Sequence, residues 1–258
     1  MSRSRPALAR AAVAAIVLGL GLSACGPAGP TPSPTATGTA EPSLEEPTPT
    51  TAGSGPDFSS ASAALSNLTS YRFAISSKGF GVAGLAPDVA FTMQGTVVNK
   101  PDAALSFKMV GLSGATAISY IVIGDNSWED LGSGTYIQTP ADQADPQSLF
   151  DAFQPEALLG DSLDSFAGGW VDLGAEQKGG ILTTHYHLDK DSPAGPALVA
   201  AYGATGILDA WLAKDGGYLV SLGFSGVQSG ETTPFENRFD IAGIDDPANV
   251  VKPPPTTP

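Results

Sequence analysis

Tyr71-Arg72-Phe73-Ala74-Ile75-Ser76 is the stretch that decides the fold class, because large apolar residues alternate in it with small or polar ones. A period of two is typical of a strand with one buried face and one solvated face. Gly-rich connectors separate similar runs, which predicts antiparallel hairpins and a long meander that curls on itself. About ten strands are expected, the others at residues 89–98, 104–110, 117–123, 135–139, 170–177, 181–188, 207–213, 218–224 and 235–241.

Short helices are predicted before and between these strands. Ser59 or Ser60 can cap a first helix that places Ala63, Leu65 and Leu68 near one face. Pro follows a capping Asp at 145–146 and recurs at 155 and 196, which predicts helical turns after each position. Helices inserted in an antiparallel sheet must pack on one of its faces. The fold class is therefore α+β.

The N-terminus has the pattern of an exported lipoprotein. Arg3, Arg5 and Arg10 precede an apolar run that is too short to cross a bilayer comfortably. Leu22-Ser23-Ala24-Cys25-Gly26 resembles the bacterial lipobox, in which the cysteine is acylated and becomes the mature N-terminus. Residues 1–24 are thus predicted to be a lipoprotein signal peptide. Cys25 would anchor the chain at the extracytoplasmic face of the cell membrane.

The remainder divides by composition into a linker, one domain and a tail. Residues 25–56 contain the lipidated cysteine and a Pro/Thr/Ser-rich stretch that cannot bury a core, so a disordered linker is expected. Residues 57–250 form one domain by size, and residues 251–258 are expected to be a flexible tail. Cys25 is the only cysteine, so no internal disulfide can stabilise the fold.

The charge of the mature chain argues against nucleic acid as a partner. Loss of residues 1–24 removes three of the 12 basic residues and none of the 26 acidic ones, which leaves 9 against 26 and a formal charge of −17. Binding to nucleic acid depends on clustered Lys and Arg. The expected partner at this point is the membrane, through the lipid anchor.

No catalytic motif stands in its required context. Gly160-Asp161-Ser162-Leu163 spells the signature of one esterase class, but it lies in mid-chain after a helical segment. That class also needs an Asp three residues before a histidine, whereas Leu182 and Thr184 occupy these positions. Phosphate loops and dinucleotide fingerprints are absent from the sequence. We therefore expect a protein that is not an enzyme and has no cofactor.

His185, His187 and Asp189 are the one group of ligand-type residues, because their parity places them on one face of a strand. Two imidazoles about 6–7 Å apart can chelate a metal, and Asp172 on a neighbouring strand could join them. A thiolate and a third nitrogen donor are lacking, so a structural role is favoured and no metal is expected. A metal-binding lipoprotein that uses His185 and His187 stays open as a less favoured alternative.

Three stretches resemble the LppX/LprA/LprF/LprG type of bacterial lipoprotein, a relative of the LolA and LolB carriers. They are Ala64 to Phe73, then Ile121 to Trp128 with Gly134-Thr135-Tyr136, and Gly180 to Asp189 followed by Ala210 to Tyr218. The resemblance implies a strongly curved antiparallel half-barrel whose concave face is covered by short helices. It also implies an apolar cavity that binds or transports lipids or acyl chains.

The residues that would line such a cavity follow from the strand and helix patterns. A lid and a sheet that stand apart leave a void for side chains or ligand, and methionines suit a surface that adapts to different chains. Ordinary core packing explains the same residues equally well, so a closed-core surface interaction or structural lipoprotein is the main alternative. A monomer is expected. The sheet side would comprise Phe73, Ile75, Phe91, Met93, Leu105, Phe107 and Met109, and the lid Leu149, Phe150, Phe153, Leu158 and Leu159.

Overall fold

The computed structural model describes residues 55–79, 90–111, 117–139, 166, 168–202, 205–227 and 232–255. Cys25, the linker up to residue 54, both predicted helices between residues 145 and 159, and all five predicted lid residues lie outside these ranges. Within them, two helices and eleven strands are present. They are α1 (Phe58–Asn67), β1 (Ser70–Lys78), β2 (Phe91–Val98), β3 (Ala104–Val110), β4 (Ile118–Ile123), β5 (Asn126–Asp130), β6 (Ile137–Thr139), β7 (Val171–Lys178), β8 (Ile181–Leu188), α2 (Gly195–Tyr202), β9 (Ile207–Ala213), β10 (Leu219–Val227) and β11 (Pro234–Ala242).

All eleven strands belong to one open antiparallel sheet with the order β6-β5-β4-β3-β2-β1-β11-β10-β9-β8-β7. It consists of two meanders, β1 to β6 and β7 to β11, which join where β1 pairs with β11. The predicted α+β class is confirmed as a curved antiparallel half-barrel with few short helices. The predicted strand count is one short, because the polar segment Asn126–Asp130 forms a strand that the alternation did not indicate.

The first helix begins earlier than predicted. Asp57, not Ser59 or Ser60, is its N-cap, and its carboxylate accepts a hydrogen bond from the backbone N–H of Ser60 at 2.9 Å. Both serine hydroxyls also donate to this carboxylate. The buried face consequently comprises Phe58, Ala61, Ser62 and Leu65, and the expectation that Ala63 faces inward is wrong because Ala63 is exposed.

The two faces of the sheet differ in chemistry, and β1 defines both. The apolar face is the one on which Tyr71, Phe73 and Ile75 lie, and the polar face carries Arg72 and Ser76. Helix α1 packs against β10. Phe58 of α1 meets Trp170 edge-on, with ring centroids 5.6 Å apart, and both rings belong to the buried core. Neither described helix has the length and apolar character needed to cross a membrane.

Candidate functional site

The sheet side of the predicted cavity forms one surface. Each of its seven residues lies on the apolar face, because the strand registers align them with Tyr71, Phe73, Ile75 or Ser77 of β1. Six of them are buried, and Ile75 is half-buried. The structure thus brings the predicted sheet residues together in the core.

A continuous row of apolar side chains crosses eight neighbouring strands on this face, and we call it the apolar row. Each member is the register partner of the next. Neighbouring strands lie about 4.8 Å apart, so the row extends for roughly 34 Å. Its β4 end is buried, whereas Ile75, Phe239, Leu222 and Tyr186 are half-buried. The apolar row comprises Ile118, Met109, Met93, Ile75, Phe239, Leu222, Ala210 and Tyr186.

At its β8 end, the apolar row is followed by a charged residue on the next strand. Asp172 of β7 is the register partner of Tyr186, so it lies on the apolar face and away from the histidines. The suggestion that Asp172 could join His185 and His187 is therefore wrong. Burial, and then the negative charge of Asp172, raise the pKa of the Tyr186 phenol above its ordinary value.

An open pocket of about 710 Å³ lies on the polar face of β1 to β4. Its walls include the side chains of Arg72 and Lys108, Tyr136 after β5, and the C-terminal residues Val251 and Lys252. Of the predicted sheet-side residues, only Phe73 and Phe107 border this pocket, and no residue of the apolar row does, so the lining of an acyl cavity by that set stays a prediction.

Two histidines and a carboxylate meet on the polar face where β8 pairs with β9. His185 Nε2 lies 2.9 Å and His187 Nδ1 lies 2.7 Å from the same oxygen of Asp209, Oδ1. His185 Nδ1 is 3.6 Å from Glu176, and His187 Nε2 is 3.5 Å from Asp189. We call these five residues the histidine cluster. The predicted sharing of one strand face by His185 and His187 is confirmed by the register, which aligns them with Trp211 and Asp209.

The charges in the histidine cluster stabilise one another. The hydrogen bond to Asp209 raises the pKa of His187 above its ordinary value, although burial opposes this shift. Burial also works against the charged form of Asp209, but hydrogen bonds from His187 and His185 lower its pKa. An ionised Asp209 can accept an N–H from each ring.

Trp211 and Lys178 form the border of the cluster. The indole ring of Trp211 stacks on the imidazole of His185, with centroids 4.4 Å apart and planes inclined by 17°. Its Nε1–H donates to Glu176, and the Lys178 ammonium lies 3.4 Å from the ring centroid, within range of a cation–π interaction. These contacts hold His185 in one orientation.

Asp209 and Glu176 are the two members of the histidine cluster that the sequence analysis did not name, and Asp209 is the one that contacts both histidines. The alternation of residues along β9 is visible in the sequence, and it places Asp209 and Trp211 on one face of the strand. The alternation does not say which strand lies beside β9 or in which register, so the contact of Asp209 with both histidines could not be read from it.

No protein-family model matches this sequence, and no curated protein is significantly similar to it. Among solved structures, the lipoprotein LppX of Mycobacterium tuberculosis is similar at 18% identity with a TM-score of 0.44, over 74% of this chain and 94% of that chain. The MucA/MucB complex of Pseudomonas aeruginosa matches at 13% identity with a TM-score of 0.34, over 72% of this chain and 54% of that chain. This chain therefore spans about half the length of that second protein.

A LolA superfamily protein from Nitrosomonas europaea matches at 10% identity with a TM-score of 0.25, over 76% of this chain and 93% of that chain. A lipoprotein of the LppX type and a LolA superfamily protein, the types that the sequence resembles, are thus among the solved structures that match.

Proposed function

We propose that this protein is a membrane-anchored extracytoplasmic lipoprotein that binds lipid acyl chains along the apolar row and is not an enzyme. The observation that carries the proposal is the row itself. It is long and uninterrupted by charge from Ile118 to Tyr186, and from Ile75 onward every member except the buried Ala210 is half-buried. An acyl chain laid along it would remove apolar surface from water on both partners.

The energetics favour an acyl ligand over a polar one. Each CH₂ group that leaves water contributes about 0.8 kcal/mol, so a few contacts along the row offset the cost of ordering the chain. Met93 and Met109 lie at the buried end, where flexible thioether side chains can adapt to different chains. Phe224, half-buried beside the row, adds apolar surface on β10.

The net negative charge of the protein is consistent with a lipid anchor and an apolar ligand site. The mature chain is strongly acidic, and a negatively charged protein is repelled by an anionic membrane surface. Stable attachment would then come from acylation of Cys25, with the linker giving the domain reach from the bilayer. The ligand would be taken up by the apolar face and not by a basic patch.

The test of this function compares two neighbouring residues of β1 that face opposite sides of the sheet. Ile75→Gln places an amide in the apolar row, whereas Ser76→Gln places the same amide on the exposed polar face. Burial of an Ile-sized side chain is worth about 1.5–3 kcal/mol. We expect Ile75→Gln to weaken binding of a fluorescent fatty acid by about 10- to 100-fold, and Ser76→Gln to leave it unchanged.

Melting temperatures of both variants control for loss of folding. Equal affinities in the wild type and both variants would contradict binding along the apolar row. A wild-type protein that takes up no fatty acid at all would favour the closed-core interaction or structural lipoprotein.

A further inference from the structure

The histidine cluster has the composition and geometry of a metal site, and it lies on the face opposite the apolar row. One ligand atom from each of His185, His187 and Asp209 can be chosen so that all lie within 4.8 Å of one another. We propose that these three residues bind one divalent transition-metal ion of the zinc class. His185 Nε2, His187 Nδ1 and an Asp209 oxygen would be the ligand atoms.

Each histidine lies near another carboxylate besides Asp209, which distinguishes this cluster from a chance pair of surface histidines. A metal-bound imidazole almost always donates its other N–H to a carboxylate, a carbonyl or water. Here the nitrogens not used as ligands point to acids, because His185 Nδ1 lies 3.6 Å from Glu176 and His187 Nε2 lies 3.5 Å from Asp189. Each histidine therefore has a carboxylate at ion-pair distance from the ring nitrogen that would not bind the ion.

The ligands lie on regular strands rather than on loops, which holds them in place. His185 and His187 alternate along β8 on one side, and β9 presents Asp209 directly opposite His187. Stacking on Trp211 fixes the plane of His185. Asp189 is held in turn by hydrogen bonds from the backbone N–H and the hydroxyl of Ser192. Sites built on strands position ligands better than loops do.

The donor set and exposure indicate the class of ion. Two imidazoles and one carboxylate suit zinc and its first-row neighbours, whereas Mg²⁺ and Ca²⁺ prefer oxygen ligands alone. The side chains of His185, His187 and Asp209 are 15%, 27% and 26% exposed, so an ion can reach them from solvent. Three protein ligands leave a fourth tetrahedral position for water or an external donor.

The first experiment titrates the full chain, untagged and treated with a chelator, with Zn²⁺ by isothermal titration calorimetry in mild detergent. We expect one ion per chain in the wild type. His185→Gln/His187→Gln and Asp209→Asn should each abolish this stoichiometric binding. Glu176→Gln and Asp189→Asn should weaken it by about 10- to 100-fold, as loss of an outer-shell partner does.

Asp191→Asn is the matched control, because Asp191 is an exposed carboxylate in the adjacent turn that pairs with Lys190 instead of the histidines. It should bind Zn²⁺ like the wild type. The proposal is overturned if the wild type binds no stoichiometric Zn²⁺, or if Asp191→Asn and the double histidine variant bind it equally well.

A second readout needs only the wild-type protein. Co²⁺ in a four-coordinate site with imidazole ligands absorbs visible light intensely, whereas six-coordinate aqueous Co²⁺ absorbs weakly. We expect intense visible bands from the wild type with one equivalent of Co²⁺, and their removal by one equivalent of Zn²⁺. Weak aqueous-type absorption alone would overturn the proposal, while fatty-acid binding by the apolar row would be unaffected.

Discussion

Asp245 has a backbone φ of +49°, a left-handed conformation that Asp and Asn tolerate better than most residues. Its carboxylate accepts hydrogen bonds from the backbone N–H groups of Thr69 and Ser70, at 2.6 and 3.1 Å. One exposed acid thus fastens the chain after β11 to the start of β1.

We expect Asp245→Ala to lower the free energy of unfolding by roughly 0.5–1.5 kcal/mol per lost hydrogen bond. Asp245→Asn should cost less, because its amide oxygen still accepts and Asn adopts the same backbone conformation. Urea denaturation of both variants measures the difference. Equal stability of wild type and Asp245→Ala would show that these hydrogen bonds contribute nothing net.

We expect protein stability to depend on pH through Asp57, the N-cap of α1. Hydrogen bonds from Ser60 and Ser59 lower the pKa of Asp57 from 3.8 to about 2. Because the folded-state pKa is depressed, its contribution is fully present above the unfolded value and is lost as pH falls through about 2.

Asp57→Asn keeps a good N-cap but cannot titrate. We therefore expect the melting temperature of the wild type to fall more steeply than that of Asp57→Asn between about pH 4 and pH 2. Thermal melts followed by circular dichroism across this range provide the test. Parallel curves for the two proteins would contradict the assigned role of the Asp57 carboxylate.

At single residues, the sequence pattern came within three positions of the correct residue where the decisive contacts are local, and missed the residue where they are distant. Ser59 and Ser60 are suitable N-cap residues by type. Asp57, two and three residues earlier, is the N-cap instead, and its carboxylate accepts hydrogen bonds from both serine hydroxyls. Asp209 illustrates the opposite case, since its partners are 22 and 24 residues distant in sequence.

At the scale of strands, Gly95 explains how two aromatic rings fit on the apolar face. Gly95 lies between Phe73 and Phe107 in the strand register. A Cβ atom at this position would lie 2.5 Å from the ring of Phe73 and from the carbonyl oxygen of Ser106. The glycine therefore leaves the space that the Phe73 ring occupies.

Gly95→Ala should consequently destabilise the protein by about 1–3 kcal/mol, the usual cost of overpacking a core. Gly223→Ala on β10 is the matched control, because an added Cβ there meets nothing closer than 3.9 Å. Its effect should stay within about 0.5 kcal/mol. Denaturant midpoints report both values. A neutral Gly95→Ala, or equal losses in the two variants, would contradict the packing described for Phe73.

Strand bounds were predictable, but strand neighbours were less so. The limits of β3, β8 and β9 agree with the predicted runs, because alternation there is clear and the flanking turns contain Gly, Asp or Lys. Pairing of β1 with β11 could not be derived in this way, since a period of two identifies a strand's faces but not its neighbour. The missed β5 is a polar strand of five residues.

At the scale of the whole molecule, the two meanders place the sheet edges β6 and β7 farthest from the β1–β11 pair. The apolar row crosses that central pair, so the proposed acyl-chain site includes the strands that join the two meanders. The seven residues predicted on the sheet side do lie on one face of the sheet, because they follow the alternation along each strand. The row's second half on β8 to β11 was missed because it required the order of the strands.

Attachment of the whole molecule to the membrane is predicted to depend on one residue. We expect Cys25→Ser to eliminate incorporation of radiolabelled fatty acid and to move the protein from the membrane fraction to the aqueous fraction. The mechanism is loss of acyl chains that bind the bilayer at about 0.8 kcal/mol per buried CH₂. Continued labelling of Cys25→Ser would contradict the lipobox assignment.

The measurement that tests the central claim most directly is native mass spectrometry of residues 26–258, produced in a lipid-rich host and purified without detergent. Binding along the apolar row predicts a co-purified species of lipid mass at about one per chain, which solvent extraction then identifies. A bare chain that also takes up no added fluorescent fatty acid would contradict the account.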